Sequence, residues 1–303
     1  MDPDPPAIAQ PVPSENPTAA WQPFTPRGVA AFARASTWCL WRAQLLVALF
    51  IAGTCVWLVH SQWMPVVDEA IAHLPTPGGA IAQGRLQWPD NEPRALTRLT
   101  EPSFLHIIVD PLNAEDHSQV ADVQVEFQER RLQLASLFGF VRVAYPAQFN
   151  LRLEREWLAP WWGSRRPFLL AALGAGIVAV LMFMWTLLAL AAAWAVRTVA
   201  FFSDRAGGYA ACCRLAGAAL MPGAALMGMG ILCYALGLLP LIGVLMVYGL
   251  HLVVSVGYLF LAPFYLEKLE TVAAATNPFA APSQTSDEAA PANPFSGEPP
   301  PNV

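Results

Sequence analysis

Four stretches of the chain are apolar over spans too long for an ordinary core helix. Residues 43–59 carry no charge and are bracketed by Trp38, Trp41, Trp57 and Trp63. Indole rings favour the boundary between hydrocarbon and headgroup, so tryptophan on both sides supports a full crossing. Residues 168–196 are also uncharged and follow Pro167, which suits the first turn of a helix. Between Arg214 and Glu267 there is no Asp, Glu, Lys or Arg. That distance is about twice the ~20 residues needed to cross a bilayer core. Gly237-Leu238-Leu239-Pro240 divides it, because proline removes a helix donor and glycine eases a turn. The pattern predicts four transmembrane helices: one within 27–60 behind an interfacial lead-in, then 167–196, 216–237 and 242–264. No small-residue cleavage pattern follows the first span, which reads as an uncleaved anchor. A re-entrant pair in place of the last two spans would leave backbone groups unpaired in lipid.

Residues 61–166 have another texture, with charges of both signs and turn residues. Val66 to Leu74 reads as a short helix continuing from the first span, ended by Leu74-Pro75-Thr76-Pro77-Gly78-Gly79. Strand-like runs follow at Ala80–Trp88, Phe104–Asp110, Val120–Phe127 and Leu134–Tyr145. In the third, Asp122, Gln124 and Glu126 alternate with valines, so one set of side chains is expected to face a core. The segment is long enough to fold alone. The fold class is therefore a membrane all-α bundle of four transmembrane helices with an inserted small, mostly β, α+β extracytoplasmic domain. Arg152 to Trp162 reads as an interfacial collar before the second span.

Composition agrees with this division. Of the 303 residues, 55% are hydrophobic and 13% charged, about half the charge of a soluble domain. A net charge of -5 excludes a basic nucleic-acid footprint. The 28 prolines concentrate at the ends, marking 1–26 and the chain from about 273 as disordered tails. None of the five cysteines, Cys39, Cys55, Cys212, Cys213 and Cys233, falls in 61–166, so no disulfide holds that domain. Arg27, Arg34, Arg42, Arg197, Arg205, Arg214 and Lys268 fall on one side if both termini are cytoplasmic. The rest of the map is a cytoplasmic loop at 197–215 and a tail at 265–303. Arg152, Arg155, Arg165 and Arg166 fall on the other side, beside a segment long enough to translocate regardless of charge.

Candidate chemistry is sparse. His251 is the one group titrating near neutrality in the fourth span, where an ionisable side chain is costly and often functional. The alternative is a neutral histidine hydrogen-bonded to Tyr234, Tyr248 or Ser255. His106 and Asp110, with Asp116 and His117, have the residue types of a zinc site but no recognised ligand spacing. Solvated surface or turn residues are the plainer reading, with Asp110-Pro111 a natural strand-end turn, and no cofactor is expected. Glycines in spans three and four, among them Gly217, Gly223 and Gly228, suit close helix packing or the broken helices of transporters. Residues 28–42 suggest an interfacial helix, with Arg27, Arg34 and Arg42 opposite Val29, Phe32 and Leu40. The tail repeats Asn277-Pro278-Phe279 as Asn293-Pro294-Phe295, a tripeptide that resembles the ligand of eukaryotic endocytic EH domains. No nucleophile elbow, phosphate loop, HExxH or GxGxxG occurs.

Leu74-Pro75 with the later Gly84, the strand end Ile107-Ile108-Val109-Asp110 and the exit Tyr145-Pro146 carry one resemblance. Over roughly 38–267 the layout resembles a bacterial family of uncharacterised multi-pass membrane proteins. That resemblance implies one N-terminal span, an extracytoplasmic domain and a three-span block, and implies no activity. The functional expectation is a non-enzymatic sensor, scaffold or accessory protein of a plasma (bacterial inner) membrane. Its partners would be the bilayer, proteins met by the outer domain and C-terminal tail, and further copies of itself. The alternative is a transporter or transporter subunit acting as an oligomer through spans three and four. A metal-dependent outer-face enzyme is a third reading.

Overall fold

The computed structural model describes residues 22–89, 94–97, 104–112 and 119–269. Residues 1–21 of the expected N-terminal tail and the C-terminal tail from 270, including both Asn-Pro-Phe repeats, lie outside the described residues, as do Asp116 and His117.

Helix α1 covers Pro26–Ala31, with the Thr25 hydroxyl accepting the Gly28 N–H at 3.1 Å. The expected continuous helix over 28–42 is interrupted. Ser36 caps a new helix, α2 (Thr37–Leu58), by accepting the Cys39 N–H at 3.2 Å. Val29, Phe32 and Leu40 are buried against the other helices, so this apolar face meets protein rather than lipid. Past Leu58 the helix widens into a π turn at Val59–Trp63 and resumes as α3, Met64–Ala72. Pro65 explains the turn: it has no N–H for the carbonyl one turn back, and its ring would crowd that carbonyl in a regular helix.

Helix α4 runs from Arg155 to Phe202, 48 residues that include Pro160 and Pro167. Of the expected collar 152–162, Arg155 to Trp162 form the first turns of α4, and Pro167 lies inside the helix rather than at its start. At 1.5 Å per residue α4 is ~70 Å long, more than twice a hydrocarbon core. It extends beyond the apolar stretch at both ends, and the expected loop 197–215 contracts to residues 203–208. Helix α5 spans Tyr209–Ala235 and α6 Leu241–Leu261, followed by a 3₁₀ turn at Ala262–Tyr265. Four helical stretches are long and apolar enough to cross a membrane: Thr37–Ala72, Arg155–Phe202, Tyr209–Ala235 and Leu241–Tyr265.

Helix α5 is the centre of the bundle, with 61% of its most apolar window buried against 6% for α4 and α6. Its run Leu215, Ala216, Ala218, Ala219 and Met221 is fully covered. Small residues let backbones approach. A Cβ on Gly223 would lie 2.0 Å from Ser255 Oγ and 2.4 Å from the His251 carbonyl oxygen. Gln44 of α2 donates to the Gly217 carbonyl at 3.2 Å across this interface. The bundle end near the chain's described termini is tied by polar groups. Arg214 donates to the Ala33 carbonyl and Arg205 to the Leu266 carbonyl, both at 2.6 Å, and Arg34 pairs with Glu267.

The sheet domain holds two sheets. The smaller orders β2 (Arg85–Gln87), β1 (Gly79–Ala82) and β8 (Leu151–Leu153), all antiparallel. The expected single strand 80–88 is in fact the β1–β2 hairpin. Gln83 and Gly84 turn it with φ of 51° and 74°, the two left-handed residues of a type I′ turn. The larger sheet orders β3 (Arg94–Ala95), β4 (Leu105–Asp110), β5 (Val123–Gln128), β6 (Arg131–Ser136) and β7 (Gly139–Ala144). The β4–β5 pair is parallel and the other pairs antiparallel. The run 134–145 is likewise two strands, turned by Leu137-Phe138-Gly139 with Gly139 at φ 109°. Leu105, Ile107 and Val109 of β4 pack with Ile81, Leu86, Trp88 and Leu153, and α3 closes this core through Ala70 and Val67.

Candidate functional site

The two faces of the large sheet divide the domain's chemistry. Val123, Val125 and Phe127 of β5 turn to the apolar core. The residues between them, Gln124, Glu126 and Gln128, are nonetheless buried, at 2%, 6% and 6% exposure. Alternation of polar and apolar positions predicted one set of side chains facing a core. The strand has two covered faces, and one of them is polar.

On that face the side chains form a ladder across β5, β6 and β7. Register places Glu126 opposite Gln133, and Gln133 opposite Arg142. Glu126 Oε1 accepts Gln128 Nε2 at 2.9 Å and its Oε2 accepts Gln133 Nε2 at 3.4 Å. Each glutamine carbonyl then accepts an arginine: Gln128 takes Arg131 Nε at 2.5 Å and Gln133 takes Arg142 Nε at 2.7 Å. Two amides thus relay the charge of two arginines to one buried carboxylate. Each carboxylate oxygen accepts one amide hydrogen bond, so the ladder holds the Glu126 side chain in place and braces the sheet.

His106 and Asp110 share this face on β4. Four residues along a strand is ~13 Å, too far for both side chains to bind one metal ion. Among the described residues no group of three His, Cys, Asp or Glu could hold a metal ion. His106 Nδ1 lies 2.9 Å from the Thr97 hydroxyl, which also accepts the Ile107 N–H at 3.0 Å. Burial pushes the imidazole pKa below its ordinary value, favouring the neutral ring. Asp110 is fully buried. Its Oδ1 accepts the Leu112 N–H at 3.2 Å in a turn at the strand end, but neither Asp110 nor His106 is the solvated residue expected, because both lie on the covered polar face. Asp110 Oδ2 is buried without a hydrogen-bond partner.

The opposite, apolar face of the sheet closes over a cavity of about 170 Å³ between α3, the sheet and the start of α4. Val67, Ile71, Trp88, Ile107, Phe127 and Trp162 are among its lining residues. With no convergent polar group, it lacks what fixes a ligand's orientation.

His251 makes a local contact. Its Nδ1 faces the Tyr248 carbonyl one turn earlier on α6, and the two rings lie 4.9 Å apart. Among the described residues its ring makes no hydrogen bond or ion pair with another titratable side chain, and α6 is unbroken at that point. Cys212 is buried, and Cys213, beside it, is partly so.

Sequence reasoning missed the residues that join the two parts of the molecule. Asp68 of α3 accepts Trp162 Nε1 at 2.8 Å and Arg166 Nη1 at 2.9 Å, both from α4. Arg166 also reaches His60 Nδ1 at 3.3 Å. Tyr234, at the end of α5, donates its hydroxyl to Asp122 at 2.7 Å and meets Phe104 edge-on at 4.9 Å. Gln62 in the π turn donates to the Ala235 carbonyl at 3.0 Å. Asp68 sits in an apolar-acidic stretch with no local sign of its partners about 100 residues away. Only the fold brings them together.

The arrangement defines a class by shape: a four-helix bundle carrying a two-sheet domain on extended helices. Comparison of the chain with family models, curated proteins and solved structures finds no match.

Proposed function

We propose that this is a non-enzymatic multi-pass membrane protein of sensor, scaffold or accessory type. It crosses a plasma (bacterial inner) membrane four times, with both termini cytoplasmic and the sheet domain on the outer side. One observation carries the reading: helices run from the bundle into the domain with no intervening loop. α2, the π turn and α3 form one helical rod, and α4 enters the domain without a break. The Asp68 clamp and the Tyr234–Asp122 bond tie these connections sideways. Such a mount transmits a push on the domain to the helices, as a sensor requires, or holds the domain at a set height, as a scaffold requires. The arginines at the far bundle end, with Lys268, support the cytoplasmic assignment.

The test is affinity capture of the full chain from gentle detergent. A partner recovered in constant ratio, and lost when the Tyr234–Asp122 link is cut by Tyr234→Phe, is the expected outcome. Repeated recovery of the protein alone counts against the proposal. Substrate flux in reconstituted vesicles, abolished by His251→Ala, would favour the transporter reading instead.

A further inference from the structure

The β6–β7 hairpin carries apolar surface where a hairpin in water ordinarily carries polar turn residues. Leu137 and Phe138 at its tip are 51% and 72% exposed, and Phe140 and Val141 behind them are 60% and 61% exposed. Register fixes where that tip points. Val123, the first residue of β5, pairs with Ser136, and Ser136 pairs with Gly139. The tip therefore extends beyond the end of β5 at which Asp122 is bonded to Tyr234, one residue before α5 ends. Gln62, bonded to the Ala235 carbonyl, marks the same level on the α2–α3 rod. The neighbouring α5–α6 connection exposes Leu236 and Leu238 there too. The other end of the hairpin, at Glu129, Arg130 and Arg131, is charged. Arg142 stacks on Phe140 at 4.4 Å and adds a cation beside the apolar tip, a combination suited to lipid phosphate above acyl chains.

We infer that the β6–β7 tip is a membrane anchor. Leu137 and Phe138 enter the headgroup–acyl boundary of the leaflet on the domain's side, giving the sheet a foothold beyond the helices. This rests on the membrane-spanning reading proposed above. Continuity with the apolar bundle argues for lipid as the occupant. A second copy or another protein seated on the hairpin is the competing outcome.

The test is photo-crosslinking of the full chain in phosphatidylcholine vesicles, with benzoylphenylalanine at one position at a time. Position 138 probes the tip. Position 130 probes the charged end of the hairpin. Position 183, where Phe183 is 59% exposed on α4, probes the proposed span. Lipid adducts at 138 and 183, and none at 130, are the expected result. An adduct at 183 without one at 138 overturns the anchor and leaves the spans standing. A protein adduct at 138 overturns lipid as the occupant. No lipid adduct at 183 removes the membrane reading and the anchor with it. The substituted side chains at 138 and 183 are exposed aromatics, so the replacements leave the core untouched.

Discussion

The helical bundle and the sheet domain bury their interiors by opposite means. In the bundle, α5 disappears beneath its neighbours because its side chains are small. Ala216, Ala218 and Ala219 are fully covered, and Gly223 lies against the backbone of α6. In the domain, β4 and β5 bury Glu126, Gln124, Gln128, His106 and Asp110 beside their valines and isoleucines. On the proposed membrane-spanning reading, a bundle surrounded by hydrocarbon gains little by hiding one apolar side chain from another, so backbone proximity and van der Waals packing hold it. A domain in water gains from apolar burial on one sheet face, and that gain offsets the cost of covering polar groups on the other, provided their hydrogen bonds are met.

The sharpest way to break the comparison is to enlarge one glycine. Gly223→Leu drives a side chain into the α6 backbone, where nothing flexible yields. It should cost about 3 kcal/mol or more and separate α5 from α6. Gly257→Leu, on the same pair of helices but with open space around it, should change little. Thermal unfolding in detergent distinguishes the two; equal effects would refute close backbone packing as the principle. The next largest effect belongs to the domain. Glu126→Ala strands the amide donors of Gln128 and Gln133 in a buried site, at about 2 kcal/mol. Faster hydrogen exchange through β4–β6, with α5 unchanged, is the expected signature. A smaller effect is expected where the two regions join. Asp68→Asn weakens a partly exposed ion pair with Arg166, at about 1 kcal/mol or less. Increased exchange confined to α3 and the start of α4 would show that the clamp, rather than either core, was loosened.

The last effect is a slope. His106 holds its proton less readily when folded than its ordinary value of 6.5 implies. As pH falls below about 6.5 the unfolded chain takes up a proton that the folded domain resists, so stability declines. The decline ends once the folded ring is itself protonated. Above about 6.5 this contribution is complete. Urea unfolding between pH 7 and pH 5 should show the slope, and His106→Gln should flatten it.

Much of the helical half was legible in the chain. Uncharged stretches near 43–59, 168–196 and 214–267, with Pro240 as the divider, marked the four helices because apolar length is a local property. Their ends were less legible. Pro167 sits inside α4, not at its start, because the backbone tolerates a proline where the helix is fixed by its flanks. In the domain the period-two pattern located β4 and β5, but it merged β1 with β2 and β6 with β7. Left-handed turns at Gln83-Gly84 and Gly139 are marked by single glycines, a weak signal.

The chain by itself determined which stretches are long and apolar enough to cross a membrane, since that follows from side-chain transfer free energies summed along the sequence. It also determined which sets of side chains share a strand face. Only the tertiary structure decided which faces are covered, so that Glu126 lies in a buried hydrogen-bonded ladder and His106 and Asp110 stand too far apart to share one metal. It alone joined Asp68 to Arg166 and Tyr234 to Asp122. Those contacts depend on distances between residues remote in the chain, which no local pattern encodes.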